Sequence, residues 1–268
     1  MSDKIITPAQ NTVSSTQPPA FLERPDGQRI AYIKTEGDKD LPGLVFLGGF
    51  MSDMTGTKAV ALENFARDRR QSFLRFDYSG HGQSSGLFKD GTIGQWSQDA
   101  LAVVDQLTKG PQILIGSSMG GWIMLNVALQ RQERIKGLVG IAAAPDFTED
   151  LMWQKFSPEI QATLLQEGVY HQPSDYGDAP YPLTLQLIEE GRKHLLLRQK
   201  QKISCPVRLI QGIEDLDVPW ITATRISESL QSDDIEVILV KNGDHRLSTP
   251  EDLQRLFKVV KEISHQKF

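Results

Sequence analysis

The sequence predicts an α/β fold, a mostly parallel central sheet covered by helices on both faces and interrupted once by a helical cap. Three observations carry this expectation. Short apolar runs alternate with segments of helical spacing from residue 43 to 144, the alternation stops between Pro145 and Ser204, and it resumes from Cys205 to the end. Strands that alternate with helices pair in parallel and bury both faces of their sheet.

The elements follow in order. Residues 1–19 are polar and lack the apolar stretch of a signal peptide, so they read as a loose tail before a unit spanning 20–268. "FLERPDGQRIAYIKTEG" gives two short strands around Pro25, Asp26 and Gly27, which is hairpin turn chemistry. "GLVFLGGF" is a short apolar strand ending in a glycine pair, and "TGTKAVALENFARDRR" has apolar positions at helical spacing. "SFLRFDYSGHGQSSG" runs a strand into a glycine-rich loop before the helical "TIGQWSQDALAVVDQLTKG". "QILIG", "GGWIMLNVALQRQ" and "IKGLVGIAAA" repeat strand, helix and strand. The cap, at about 146–204, shows two or three helical patterns with no clear strand between them. Within it, Leu183, Leu187 and Leu195 fall on one helical face, and Trp153, Phe156, Tyr170, Tyr176 and Tyr181 fill its core. "CPVRLIQG", a helix near 220–231, the strand "IEVILV" and a helix from about Pro250 complete the chain.

Composition narrows the function. The chain has 268 residues, with 29 basic against 34 acidic side chains and a formal charge of -5, so no positive field draws nucleic acid or an anionic membrane. No apolar run approaches the roughly 20 residues of a spanning helix. Cys205 is the single cysteine and no Cys and His cluster has metal-site spacing, so the expectation is a cytoplasmic protein without metal or cofactor.

The chemistry starts at "GSSMGG". A Gly-x-Ser-x-Gly pattern between a strand and a helix makes a nucleophile elbow, with Gly116 and Gly120 leaving room for Ser118 at a strained apex. A serine hydroxyl needs a base, and the base needs a carboxylate to fix its tautomer. Among five histidines, His245 alone sits in a short loop, "KNGDH", between a late strand and a terminal helix, where an imidazole returns to a central elbow. The acid is expected in "QGIEDLDVPW", where Gly212, Asp215, Val218 and Pro219 carry a spacing common in serine hydrolases. Asp215 is the choice, with Asp217 and then Asp146 behind it. The order Ser118, Asp215, His245 is that of α/β-hydrolases. Main-chain N–H groups of Met119, after the nucleophile, and of Phe50, in "LGGF", are the candidate oxyanion donors.

Two further motifs have bland readings. "DYSGHGQS" lacks the third glycine of a dinucleotide loop and the Gly-Lys-Ser or Gly-Lys-Thr of a P-loop, so it reads as a tight turn with His81 packed or solvated there. Arg192, Lys193, Arg198, Lys200 and Lys202 read first as a solvated helix end and second as an attractor of anionic substrates.

"GTKA", "RFDYSGHGQSSG", "GPQILIGSSMGGWIML", "CPVRLIQG", "DVPW" and "DHR" together resemble the α/β-hydrolase family of domain-containing protein ten and its bacterial relatives, over about residues 20–262. The resemblance implies a serine hydrolase of acyl groups, of the acyl-glucuronide esterase or palmitoyl-protein thioesterase type. It puts the nucleophile on Ser118, the acid on Asp215 and the histidine on His245. The chain departs from the family where Gln211 replaces a histidine before Gly212, and its first residues lack the character of a mitochondrial transit peptide. The expected substrate is a small-molecule or acylated-protein ester or thioester. Carbon-carbon bond hydrolysis or peptide cleavage on the same triad, and a silent ligand receptor, are the rival readings.

Overall fold

The computed structural model describes residues 17–38, 40–173 and 180–266; most of the tail and Tyr176 lie outside these. A hairpin opens the fold, with β1 (Ala20–Glu23) antiparallel to β2 (Arg29–Thr35). The α/β alternation follows with β3 (Gly43–Leu47), α1 (Thr57–Asp68), β4 (Phe73–Phe76), α2 (Ile93–Leu107), β5 (Gln112–Ser117), α3 (Met119–Gln130) and β6 (Ile135–Ile141). After the segment that follows β6 come β9 (Val207–Gly212), α6 (Ile221–Ser229), β10 (Ile235–Val240) and α7 (Pro250–Ser264).

The eight-stranded sheet runs β1-β2-β4-β3-β5-β6-β9-β10, antiparallel on both sides of β2 and parallel from β4 onward. Alternation along each strand builds a core on both faces. Val45, Leu47 and Leu114 point toward Trp96 of α2 and Trp122 of α3, whereas Leu44, Phe46, Ile113 and Ile115 point toward Leu62 of α1 and Val260 of α7. The chain steps from β3 to β4 on one side and to β5 on the other. The strand order thus reverses between β3 and β5, which opens a crevice beyond their carboxyl ends.

The segment between β6 and β9 differs from the all-helical expectation. It holds a π-helical turn at Thr148–Met152, α4 (Pro158–Glu167), α5 (Leu185–Gly191) and a two-stranded antiparallel pair, β7 (Val169–Gln172) with β8 (Tyr181–Thr184). Leu183 therefore lies on a strand, not on the helical face of Leu187. Four-residue strands are too short for period-two alternation to stand out, and Pro182 speaks against a strand by composition. An edge strand accepts it because a missing N–H costs little there.

Candidate active site

Ser118 stands between the end of β5 and the start of α3 with φ 54 and ψ -120, a left-handed conformation that an ordinary residue adopts only under constraint. The constraint is visible. The Ser118 N–H donates to the Ile141 carbonyl at 2.9 Å, and the Ser118 carbonyl accepts from Ala144 N–H at 3.0 Å and Gly121 N–H at 2.8 Å. A side chain at Gly116 would overlap the Gly120 carbonyl, and one at Gly120 would overlap the carbonyls of Leu47 and Gly48. Both glycines are thus set by close backbone approach, and the second locks the elbow against the loop after β3.

His245 reaches the elbow from the loop between β10 and α7. Its Nε2 lies 3.1 Å from Ser118 Oγ and its Nδ1 2.9 Å from Asp215 Oδ2. An ionised carboxylate only accepts, so Nδ1 carries the proton and Nε2 presents its lone pair to the serine hydroxyl. Asp215 has a fully buried side chain while His245 keeps a fifth of its side chain exposed. Each oxygen of Asp215 has two donors. Oδ1 accepts from Asp217 N–H at 2.9 Å and Val218 N–H at 2.8 Å, and Oδ2 accepts from Gln211 Nε2 at 2.8 Å as well as from His245.

Gln211, which the sequence marks only as a departure from the resembled family, contributes to the site through Asp215. Its Nε2 also donates to the Val218 carbonyl at 3.1 Å. Both acceptors are oxygens that cannot donate, so the amide nitrogen must face them. Its side chain fixes the rotamer of the acid, and only the departure from the family pattern signals it.

The other candidates fall elsewhere. Exposed Asp217 supplies its main-chain N–H to Asp215. Ligand atoms of Asp215, Asp217 and His245 lie within 4.8 Å of one another, but Asp215 and His245 already spend theirs on the contacts above. Asp146, at φ 62 and fully buried, lies at the start of the segment after β6. Its carboxylate accepts from Leu196 N–H at 2.7 Å, Leu197 N–H at 2.9 Å and Arg198 at 2.8 Å, which ties the two ends of that segment together. Burial, opposed by these donors, raises its pKa.

Phe50 lies in the loop after β3, which runs directly over the elbow: a Cβ on Gly49 would come 3.4 Å from Ser118 Cβ. Its ring sits edge-on to Phe88, Trp96, Phe147 and Tyr181, with centroids 4.8 to 6.3 Å away. Rings of the sheet side and of the segment after β6 thus meet at Phe50. Met119 opens α3, so its N–H has no intrahelical acceptor.

His81 is packed rather than solvated, only 4% exposed and edge-on to Tyr78, Phe88 and Trp96. Burial, partly offset by the contact of Nδ1 with the Ser79 carbonyl, pushes its pKa down to about 4. In the basic stretch Arg192 pairs with Glu149 at 2.7 Å and lies over the Trp153 ring, Arg198 pairs with Asp146 and Asp150, and Lys200 bonds the Glu228 carbonyl.

Known proteins agree with this architecture. The profile of the alpha/beta hydrolase fold family matches residues 44–186. Human palmitoyl-protein thioesterase ABHD10, named as mitochondrial, is 38% identical over 245 residues, 91% of this chain and 79% of that protein. A bacterial structure from Agrobacterium vitis S4 superposes with a TM-score of 0.88 at 38% identity, covering 93% of this chain and all of that one. Mouse alpha/beta hydrolase domain-containing protein 10 superposes at 0.84 with 37% identity, over 92% and 98% of the two chains. Among the described residues no helix is long and apolar enough to cross a membrane. An elbow at the strand-order reversal, an imidazole returning from the loop before the last helix and likeness along nine-tenths of the chain have one common source: the chain belongs to the alpha/beta hydrolase family.

Proposed function

We propose that this protein is a serine hydrolase of carboxylic esters or thioesters that works through an acyl-enzyme intermediate. The observation that carries the reading is the relay from Ser118 Oγ through His245 to buried Asp215, with contacts of 3.1 and 2.9 Å. Ser118 Oγ attacks the acyl carbonyl carbon as its proton passes to His245 Nε2, and Asp215 stabilises the imidazolium that forms. The carbonyl oxygen becomes an oxyanion, which the amides of Phe50 and Met119 receive without reorganisation. As the tetrahedral intermediate collapses, the bond to the leaving oxygen or sulfur breaks and His245 returns the proton to it. Water then repeats the sequence on the acyl-serine and frees the acid. The segment from residue 146 to 204 acts as the cap, and its Phe147 and Tyr181 meet the Phe50 ring to offer the acyl group an apolar wall.

Likeness to a palmitoyl-protein thioesterase favours acyl thioesters, and acyl glucuronides share the activated carbonyl. The compartment in this reading is the reducing cytoplasm, on the single Cys205; fractionation of cells carrying the tagged chain tests it against the mitochondrial relatives. The activity is tested by fluorophosphonate labelling with mass-spectrometric readout, followed by a panel of palmitoyl thioesters, acyl glucuronides, p-nitrophenyl esters, diketones and peptides. Adduct on Ser118 of the wild type, absent from Ser118→Ala and His245→Ala, is the expected result. A folded wild type that takes no adduct overturns the reading.

A further inference from the structure

The "GTKA" string has no place in this mechanism, yet its lysine touches the catalytic loop. Lys58 is in the first turn of α1, and its Nζ donates to the Arg246 carbonyl at 2.5 Å and to Ser248 Oγ at 3.1 Å. Those acceptors lie immediately after His245. We propose that Lys58 is a positioning residue, which holds the loop of His245 in register with the loop that carries Phe50, so that the base and the oxyanion donors stay aligned on Ser118. The inference rests on the serine-hydrolase reading.

Both sides of this bridge have independent anchors. The loop between β3 and α1 is fixed because Asp77 Oδ1 accepts from Met54 N–H at 2.6 Å and Arg75 donates to the Met54 carbonyl at 2.6 Å. Ser52 N–H bonds the Gly49 carbonyl, and Val60 N–H bonds the Gly56 carbonyl at the start of α1. The histidine loop is braced from its own side by Asp244 Oδ1, which accepts from Leu247 N–H at 2.9 Å, and by the capping box of Thr249 with Asp252. Leu247 holds φ 44 there, a conformation that persists only under such contacts. Lys58 joins the two braced loops across 188 residues of sequence.

The ammonium is suited to the task and sensitive to its setting. Burial pushes its pKa down to about 8, against the carboxylates of Asp244 and Asp252, which raise it, while Arg246 lowers it further. Loss of that charge weakens both bonds, because a charged donor makes roughly twice as strong a bond as a neutral one.

The test compares wild type with Lys58→Met, Lys58→Arg and Ser248→Ala, measuring kcat, KM and the rate of fluorophosphonate labelling of Ser118 on chains verified as folded by circular dichroism. The expected result is a kcat about 10- to 100-fold lower in Lys58→Met with KM within about twofold, since misplacement of a catalytic group by about 1 Å costs on this scale. Lys58→Arg should restore most of the loss; wild-type kcat should decline as the pH rises through about 8, where Lys58 loses its proton, and that decline should be absent from Lys58→Arg. Ser248→Ala should cost about two- to fivefold. Folded Lys58→Met with wild-type kcat and labelling overturns the proposal, and so does an equal loss in Lys58→Arg, which would assign the effect to packing. Should Lys58→Met fail to fold, Ser248→Ala decides, and wild-type kcat and labelling in that variant overturn the proposal. Absence of label on the wild type refutes the serine-hydrolase reading instead, a distinct outcome.

Discussion

The part of the molecule that holds Ser118 and the segment between β6 and β9, which the proposed function makes its cover, share an apolar core but are tied together by different polar contacts. Around the elbow, strands β3, β5 and β6 fix position through backbone ladders and bare glycine contacts, and the helices on either side bury apolar faces. The covering segment packs Phe147, Leu187 and Leu196 into that same core and adds charged staples of its own: Asp146 on Leu196, Leu197 and Arg198, Arg192 on Glu149, and Glu190 on the Gly94 N–H. A backbone-built half is rigid where Ser118, the proposed nucleophile, must not move. A half joined by side chains can change its loops without disturbing the sheet.

The comparison breaks most severely at Gly120. Gly120→Ala places a Cβ 2.6 Å from the Gly48 carbonyl and closer still to the Leu47 carbonyl, and neither backbone can yield without moving β3. We expect destabilisation above about 4 kcal/mol, in the range reserved for gross steric conflict. Urea denaturation measures it, and a loss below about 1 kcal/mol would mean that the elbow is softer than its contacts imply. Equivalent small additions at exposed positions of the covering segment should be near neutral.

This contrast explains what was legible in the sequence. Parallel strands buried on both faces must be apolar runs, and their helices must carry a stripe, so residues 43–141 announce themselves. Ser118 is legible because its φ of 54 demands small neighbours, and His245 and Asp215 because chain order fixes which loops return to the switch point. The pairing of β7 with β8 is not legible, because cross-strand bonds, rather than the pattern of either four-residue strand, create it. Gln211 is legible only as a departure from the resembled family's pattern, which does not say that it holds Asp215. Lys58 on the histidine loop is not legible, because that contact joins a side chain to a loop 188 residues away and a one-dimensional pattern does not record it.

A second break works through pH and belongs to the sheet side. The folded pKa of His81 is about 4 against about 6.5 in the unfolded chain, so between these values the unfolded state binds the extra proton. Its contribution is fully present above pH 6.5 and is lost as the pH falls through 4. The loss across that window is about 3 kcal/mol at 1.36 kcal/mol per pKa unit. Thermal unfolding from pH 7 to pH 4 should show it, and His81→Phe should flatten that acid limb. An unchanged slope in the variant would assign acid sensitivity to other groups.

A third change acts on the covering segment alone. Asp146→Ala leaves the Leu196 and Leu197 amides without their acceptor, at about 1–3 kcal/mol for each buried unsatisfied group. Because the staple spans only that segment, the cost should appear as faster amide exchange across residues 146–173 and 180–200, with β3, β5 and β6 protected as before. Fluorophosphonate should still label Ser118. Uniformly faster exchange through the sheet would show that the two halves unfold as one and would erase the contrast.

The smallest effect tests whether the staples leave charge over for a substrate. Arg192 is committed to Glu149 and to the face of Trp153, so its positive charge is compensated where it stands. Arg192→Ala should therefore shift KM for an anionic ester and for its neutral counterpart by the same factor, with their ratio changing by less than about twofold, as fits an exposed pair worth up to about 1 kcal/mol. Paired KM measurements on an acyl glucuronide and its methyl ester, repeated in Lys193→Ala, check this. A selective rise for the anion in Arg192→Ala would mean that Glu149 releases the guanidinium to substrate. The same ion pair that ties the segment together would then also read what enters it, so that cohesion and recognition would share one side chain.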